Sequence, residues 1–458
     1  MHDNEATTTI LPPDHPDRAN LSAEVHARPP EALLTPSRAT YVAILVDSES
    51  RAQELRHLAA LCQEFGVEPP AASAPHFSAT LEDLRLKWER HGEFSGYTFF
   101  TSGRSPTPFS EPPAARLPAG WLAKLPGQTI FAAHAKLVPA LTSSEPNPEF
   151  LAAHFGDNVP VGAEVGGGTG SAYTDSRIHR DGFARFLLLD RSFTERQAGR
   201  MLQRLVEIEV YRMLALLALP LARQQALRLV EIERALGELI AGISREGGDD
   251  ESILHELTRL AQDVESCIVA TQFRFGACAA YHELVATRIA ELREQKIGGI
   301  QTVEEFMKRR FSPAVATVAN TARRLHELSD RVAQACTLLS TRVGIVREKQ
   351  NQALLESMNR RARLQLRLQQ TVEGLSLAAI LYYLLGLVAY FAKALKAGGL
   401  RVEPDVVVGA VIAPLALLLM WALRRARRRL NIAEADLGHA DGNIQTSAVS
   451  IGGSAHER

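Results

Sequence analysis

Histidine, carboxylate and arginine recur together at three places in the first part of the 458-residue chain. HPDRANLSAEVHARP holds His15, Arg18, Glu24, His26 and Arg28. In extended backbone Glu24 and His26 face the same side, the arrangement of an acid–base pair or of two metal ligands. WERHGEF carries Glu89 and His91, and DSRIHRDGF carries Asp175 and Asp181. Brought into one pocket, these groups form a polar cluster with altered proton affinities. Kept apart, they form a polar network that pins the N-terminal segment. The H-E-x-x-H zinc spacing is missing, as are a Gly-x-Ser-x-Gly elbow and the context of a nucleophilic cysteine, so no catalytic residue, metal or cofactor is assigned. GGGTGS, Gly166 to Ser171, has the glycines of a phosphate cradle without the Lys-Ser/Thr of a P-loop. It precedes a strand pattern, which makes it a hairpin turn.

The elements that must position these residues differ along the chain. Residues 1–190 are dense in proline and glycine and mix strands with short helices. TYVAILVD (Thr40 to Asp47) predicts a strand and ESRAQELRHLAALCQEFG the helix after it; LRLKWERHGEFSGYTFF, TIFAAHAKLV and FARFLLLD contain further strands. One clear βα step among mixed elements predicts an α+β domain and excludes a dinucleotide-binding fold. Residues 193–371 are helical almost throughout. One amphipathic stretch bends at Pro220. REGGDDES (Arg245 to Ser252) turns into a second helix, from about Ser252 to Glu294, and TVEE (Thr302 to Glu305) is a capping box. Ser312 and Pro313 start a third helix, as N-cap and first-turn proline, that continues toward the C-terminus. Unbroken, it is on the order of 120 Å long, and such a helix needs partners, either its neighbours or copies of itself.

That third helix ends in an apolar run. Gly374 to Lys393 contains no charge before its last residue, and Val406 to Leu423 is a second such run; each is long enough to cross a hydrocarbon core of ~30 Å. Their short link makes residues 372–424 a transmembrane hairpin, which follows the long antiparallel helices and stalk helix and precedes a basic, then disordered tail at 425–458. Arg360, Arg361, Arg363 and Arg367 flank the first span and RRARRR, Arg424 to Arg429, the second, so the bulk of the chain and the tail are expected on the cytoplasmic side. Arg360, Arg361, Arg424, Arg425 and Arg427 are the expected headgroup contacts, and Trp421 an interfacial anchor. Ser376, Tyr383 and Tyr390 repeat every seven residues on one stripe, which seals a helix seam or lines a pore in an oligomer. Apart from Lys393 at the end of the first, neither run contains Asp, Glu, Lys, Arg or His, unlike a proton- or substrate-coupled carrier.

Bulk composition agrees. With 51 basic and 52 acidic residues, no overall field draws the chain to nucleic acid. Cys62, Cys267, Cys278 and Cys336 form no C-x-x-C pair; they are expected to be reduced thiols, and the polar N-terminus does not have the pattern of a signal peptide. The expected partners are therefore the lipid bilayer and further copies of the chain.

HPDRANLSAEVHARPPEAL, LKWERHGEFSGYTF, DGFARFLL and NQALLESMNRRARLQLRLQQTVEGLSLAAILYYLLGL together resemble a bacterial family of predicted membrane-anchored proteins of unknown function, from about His15 to Arg425. The resemblance implies location in the inner membrane and no particular activity. More distantly the layout resembles CorA-type divalent-cation channels, in which a cytoplasmic α/β domain joins a long stalk helix and two C-terminal spans. That likeness implies a homo-oligomer with the first spans central. CorA-type proteins carry Gly-Met-Asn after the first span, and YFAKALKAGGLR here has none.

Overall fold

A computed structural model of the chain describes residues 12, 14–19, 21–22, 29–140, 148–243, 249–398, 403–422 and 425. Internal contacts divide it into two units, Met1–Thr341 and Arg342–Arg458. The first unit is built on strands β1 (Ser37–Leu45), β2 (His76–Leu81), β3 (Leu84–Arg90), β4 (Phe94–Ser102), β5 (Gln128–Pro139), β6 (Val161–Val165), β7 (Gly170–Thr174) and β8 (Ala184–Asp190). They form one sheet in the order β2-β3-β4-β1-β5-β8-β7-β6, antiparallel throughout except where β5 meets β8. The strands expected from TYVAILVD, LRLKWERHGEFSGYTFF, TIFAAHAKLV and FARFLLLD are present. The strand expected after GGGTGS is β7. The pattern did not bring out β2 and β6, which are short; β6 is almost wholly buried, with little alternation to reveal it.

Two helices lie between strands, α1 (Arg51–Glu64) after β1 and α2 (Pro148–Phe155) after β5, and the rest follow β8: α3 (Glu195–Leu216), α4 (Ala218–Ile243), α5 (Asp250–Leu292), α6 (Val303–Arg310), α7 (Ser312–Ala397) and α8 (Pro404–Ala422). Cross-strand register sorts the sheet into two faces, because directly opposed residues point the same way. One face carries Val42, Ile44, Trp88, Tyr97 and Phe99, which pack on Leu58, Leu61 and Cys62 of α1. Farther along that face Tyr173, Leu187 and Leu189 pack on Leu151 and Phe155 of α2. The opposite face receives α3. Segment 295–301 pairs with β6 through Val161↔Gln301 and Glu164↔Gln295, so that end of the sheet is not an open edge.

Local rules explain the helix ends. Thr194 and Thr302 each accept a hydrogen bond from the backbone three residues on, while Gln197 and Glu305 reach back, two complete capping boxes. The carboxylate of Glu294, which burial pushes toward the neutral form, accepts the N–H groups of Val303 and Glu304, each at 3.0 Å, at the same helix start. Asp249 caps α5 through Ser252 N at 3.3 Å. The expected bend at Pro220 is a break at Leu217, and the proline sits in the first turn of α4, where it costs no hydrogen bond. Ser312 is already the first residue of α7, one place later than an N-cap, and Pro313 follows it. In α7 the buried positions Val318, Thr321, Leu325, Leu328, Val332, Ala335 and Leu339 recur at alternating three- and four-residue steps, and Arg324 pairs with Glu233 of α4 at 2.9 Å. Leu257, Leu260, Val264 and Cys267 continue the same spacing on α5, and all four cysteines are free.

Among the described residues of the second unit, two helices are long and apolar enough to cross a membrane: the distal part of α7, and α8. Of the apolar windows in these helices, 6% and 0% is buried. The linker at 399–402, Arg424, and residues 426–458, including Arg427 and the expected tail, lie outside the described residues.

Candidate functional site

The face of the sheet under α3 carries charge. Lys87 and Glu89 alternate onto it from β3 and form an ion pair of 2.9 Å, their side chains 6% and 11% exposed. A row across the sheet sets Lys87 beside Thr98 and Thr98 beside Tyr41; the next row sets Glu89 beside Gly96 and Gly96 beside Ala43. Gly96 makes room for the tyrosine: a Cβ there would lie 2.7 Å from the Tyr41 hydroxyl oxygen. Burial, reinforced by Glu89, pushes the Tyr41 phenol up from its usual range. Leu202, Val206 and Val210 of α3 close over this row together with Glu207, while His91 stacks on Phe94 with ring centroids 4.1 Å apart.

The site is held by pairs that join sheet to helices. Glu93, next to Phe94, accepts from Arg274 and from the Tyr281 hydroxyl (3.1 Å), both on α5. Arg288 of α5 donates to Glu207 of α3, and Arg204 of α3 donates to Glu291 of α5 at 2.9 Å. Tyr211 stacks on Tyr281 with centroids 5.7 Å apart, and burial raises both phenols. Each charge here has an opposite charge beside it, as burial demands. The gap between Tyr41, Lys87, Glu89 and α3 is ≈ 40 Å³, room for water rather than a metabolite.

The described residues of the three motifs do not meet in one pocket. Glu89 and His91 line this gap. Asp181 pairs with Arg185, whose register partner His134 points to the other face of the sheet. Asp175, with a fully buried side chain, accepts from Asn158 Nδ2 and bonds His179 Nε2, each at 2.8 Å, a self-contained network at the end of β7. His15 and Arg18 are exposed, with partners Asp17 and Asp14. Glu24, His26 and Arg28 lie outside the described residues. No group of three or more His, Cys, Asp or Glu side chains suited to a metal ion occurs among the described residues. GGGTGS forms the turn between β6 and β7, with φ of +65°, +75° and +89° at Gly166, Gly167 and Gly168, the left-handed conformations such a turn asks of glycine.

In the apolar helices Ser376, Tyr383 and Tyr390 are exposed, as are Arg360 and Arg361, and the Arg425 guanidinium lies 5.2 Å from the centre of the Trp421 ring. Sequence reasoning missed Lys87 and Tyr41. Their signal was present, since alternation in LRLKWER puts Lys87 and Glu89 on one side of a strand whose other side is Leu86 and Trp88.

Fold and site thus define a class: an eight-stranded α+β domain followed by long helices and two apolar helices of membrane-crossing length. Residues 13–430 match the family described as "Protein of unknown function (DUF3422)", and the chain belongs to that family. No curated protein and no solved structure matches the chain, so the likeness to CorA-type channels gains no support.

Proposed function

We propose that the chain is a membrane-anchored, non-catalytic scaffold or sensor whose apolar segments of α7 and α8 cross the bilayer as a hairpin. The observation that carries this is exposure. Leu375, Tyr382, Tyr383, Leu387, Tyr390 and Phe391 are each between 64% and 74% exposed, and Val406, Leu417, Leu418 and Trp421 are comparably bare. Apolar surface of that extent is not left to water, because each Å² withheld from an apolar surrounding costs about 25 cal/mol. The arginine clusters beside the apolar segments support a topology with the bulk of the chain on the cytoplasmic face, and Arg360, Arg361, Arg424, Arg425 and Arg427 at the headgroups. Leu354, Leu355, Leu364 and Leu368 are also exposed on α7, which supports self-association of that helix into a homo-oligomer. The small gap at Lys87 and Glu89, each already paired, favours a non-catalytic reading.

Membrane fractionation tests it. Full-length protein is expected to stay in the pellet after alkaline carbonate extraction, and a variant lacking residues 372–424 to move to the supernatant. Full-length protein released by carbonate would defeat the proposal.

A further inference from the structure

The face of the sheet that carries α1 and α2 holds a second charged group, and this one is unbalanced. Arg38 on β1 stands between its register partners Thr101 on β4 and Lys136 on β5, so all three point to the same side. They are 7%, 3% and 9% exposed. Arg104, just past β4, acts electrostatically on Lys136, as does Arg38, and with burial they push the lysine's proton affinity down. His154 of α2 also senses Lys136; its ring meets Phe109 edge-on with centroids 5.9 Å apart, and Arg185 lies 5.1 Å from the centre of the same phenylalanine ring.

Four cations therefore gather here, and two acids answer them. Arg38 has Glu111 at 3.7 Å and Arg185 has Asp181. Neither Lys136 nor Arg104 has a hydrogen bond or ion pair among the described residues. Arg38 Nε, Arg185 Nη1, Thr101 Oγ1 and His154 Nε2 are buried with no hydrogen-bond partner. Lys136, 9% exposed, stands beside Arg38, 7% exposed, with one acid, Glu111, on the arginine, and several buried polar atoms go unmatched, which together costs several kcal/mol; on the opposite face Lys87 pairs with Glu89 and Arg288 with Glu207. An ion that neutralises two positive charges and offers several acceptor oxygens removes both costs at once.

We infer that Arg38, Lys136 and Arg104, with Thr101 beside them, form a binding site for a phosphoryl group, entered from the side of the exposed Arg104. A dianionic phosphate matches the excess of two cations, and its oxygens accept from guanidinium, ammonium and hydroxyl donors together. The group belongs either to a soluble phosphorylated metabolite or to a lipid headgroup. The site stands independently of the membrane reading, since all its residues belong to the first unit.

Thermal unfolding of the detergent-solubilised full chain tests it, with inorganic phosphate and, separately, dioctanoyl phosphatidic acid added at constant ionic strength against chloride. Millimolar phosphate is expected to raise the melting temperature. Lys136→Met and Arg104→Gln each weaken the apparent affinity at least tenfold, whereas Arg200→Gln, in an open arginine-lined cleft elsewhere, leaves it unchanged. Arg104 is exposed, so its replacement probes binding without endangering the fold. Stabilisation by the lipid alone assigns the phosphoryl group to a headgroup; stabilisation by free phosphate as well assigns it to a soluble ligand. Absence of stabilisation by either, or a shift that survives both Lys136→Met and Arg104→Gln, overturns the site.

Discussion

Trp88 and Tyr383 are both large aromatic residues, yet one is 0% and the other 71% exposed. Around Trp88 the sheet domain hides its apolar side chains and satisfies the polar atom it hides with them: the indole N–H donates to Glu54 at 3.0 Å. Around Tyr383, among the described residues, nothing covers Leu375, Leu387 or Phe391. The first region is organised against water and the second is not, which on the proposed membrane reading is the difference between a fold that makes its own apolar interior and a segment that takes its apolar surroundings from a bilayer. The two sheet faces show the same logic at the scale of single charges. Lys87 has its carboxylate 2.9 Å away, whereas Lys136 has none among the described residues, and an external partner is inferred for it as for the bare helices.

The largest expected effect is at the heart of the covered region. Glu54 is wholly buried and accepts from Trp88 Nε1, from the Tyr97 hydroxyl at 2.9 Å and from Arg51 at 3.4 Å. Glu54→Ala strands two buried donors and removes the charge that faces Arg51. It is expected to cost about 4 kcal/mol, read as a lowered urea midpoint of the sheet domain. A loss below about 1 kcal/mol would mean that the network is not what holds α1 to the sheet.

A smaller, pH-dependent effect comes from His134, 5% exposed, bonded to Thr40 Oγ1 at 3.0 Å and stacked on Phe183. Burial, with help from Arg185 and against the opposing pull of Asp181, lowers its pKa to about 4. The unfolded chain, whose histidine titrates near 6.5, therefore binds more protons than the folded one between those values. Stability is full above about pH 6.5 and falls as pH drops toward 4, by about 2 kcal/mol at pH 5. In phosphate-free buffer His134→Gln should flatten that slope. An unchanged slope between pH 6.5 and 4.5 would show that other groups carry it.

How much of this the sequence reveals depends on how far apart the cooperating residues are. The capping box at Thr302 and Glu305, the turn at Gly166 and the two apolar runs are local, and one short window contains all the physics of each. Glu89 was visible as a charge, but its partner Lys87 needed the strand alternation to be followed through. The cationic group was hidden for a different reason. Arg38, Thr101, Lys136 and His154 come from four elements, and only the register of β4, β1 and β5 sets three of them side by side. One trace was readable: TIFAAHAKLV puts His134 and Lys136 on the same side of an otherwise apolar strand, an arrangement that asks for a polar partner. Glu24 and His26 drew attention through the two-residue alternation of extended backbone, and they lie outside the described residues.

The smallest expected effect is the sharpest test of the opening contrast. Leu387 sits in the apolar part of α7 and is 64% exposed. If its surroundings are lipid tails, Leu387→Ala removes contacts with lipid rather than with protein, and the melting of the sheet domain should move by less than about 0.5 kcal/mol. The same truncation at Leu86, 0% exposed and under the Trp88 layer, leaves a cavity worth about 3 kcal/mol. Leu387→Arg separates lipid from water directly. A charge at the centre of a span costs about 3 kcal/mol of insertion, so this variant should shift protein from the membrane pellet to the soluble fraction while the sheet domain unfolds at an unchanged urea concentration. Were Leu387 facing water, the arginine would be tolerated without any redistribution, and the difference between the two aromatic environments would lose its meaning.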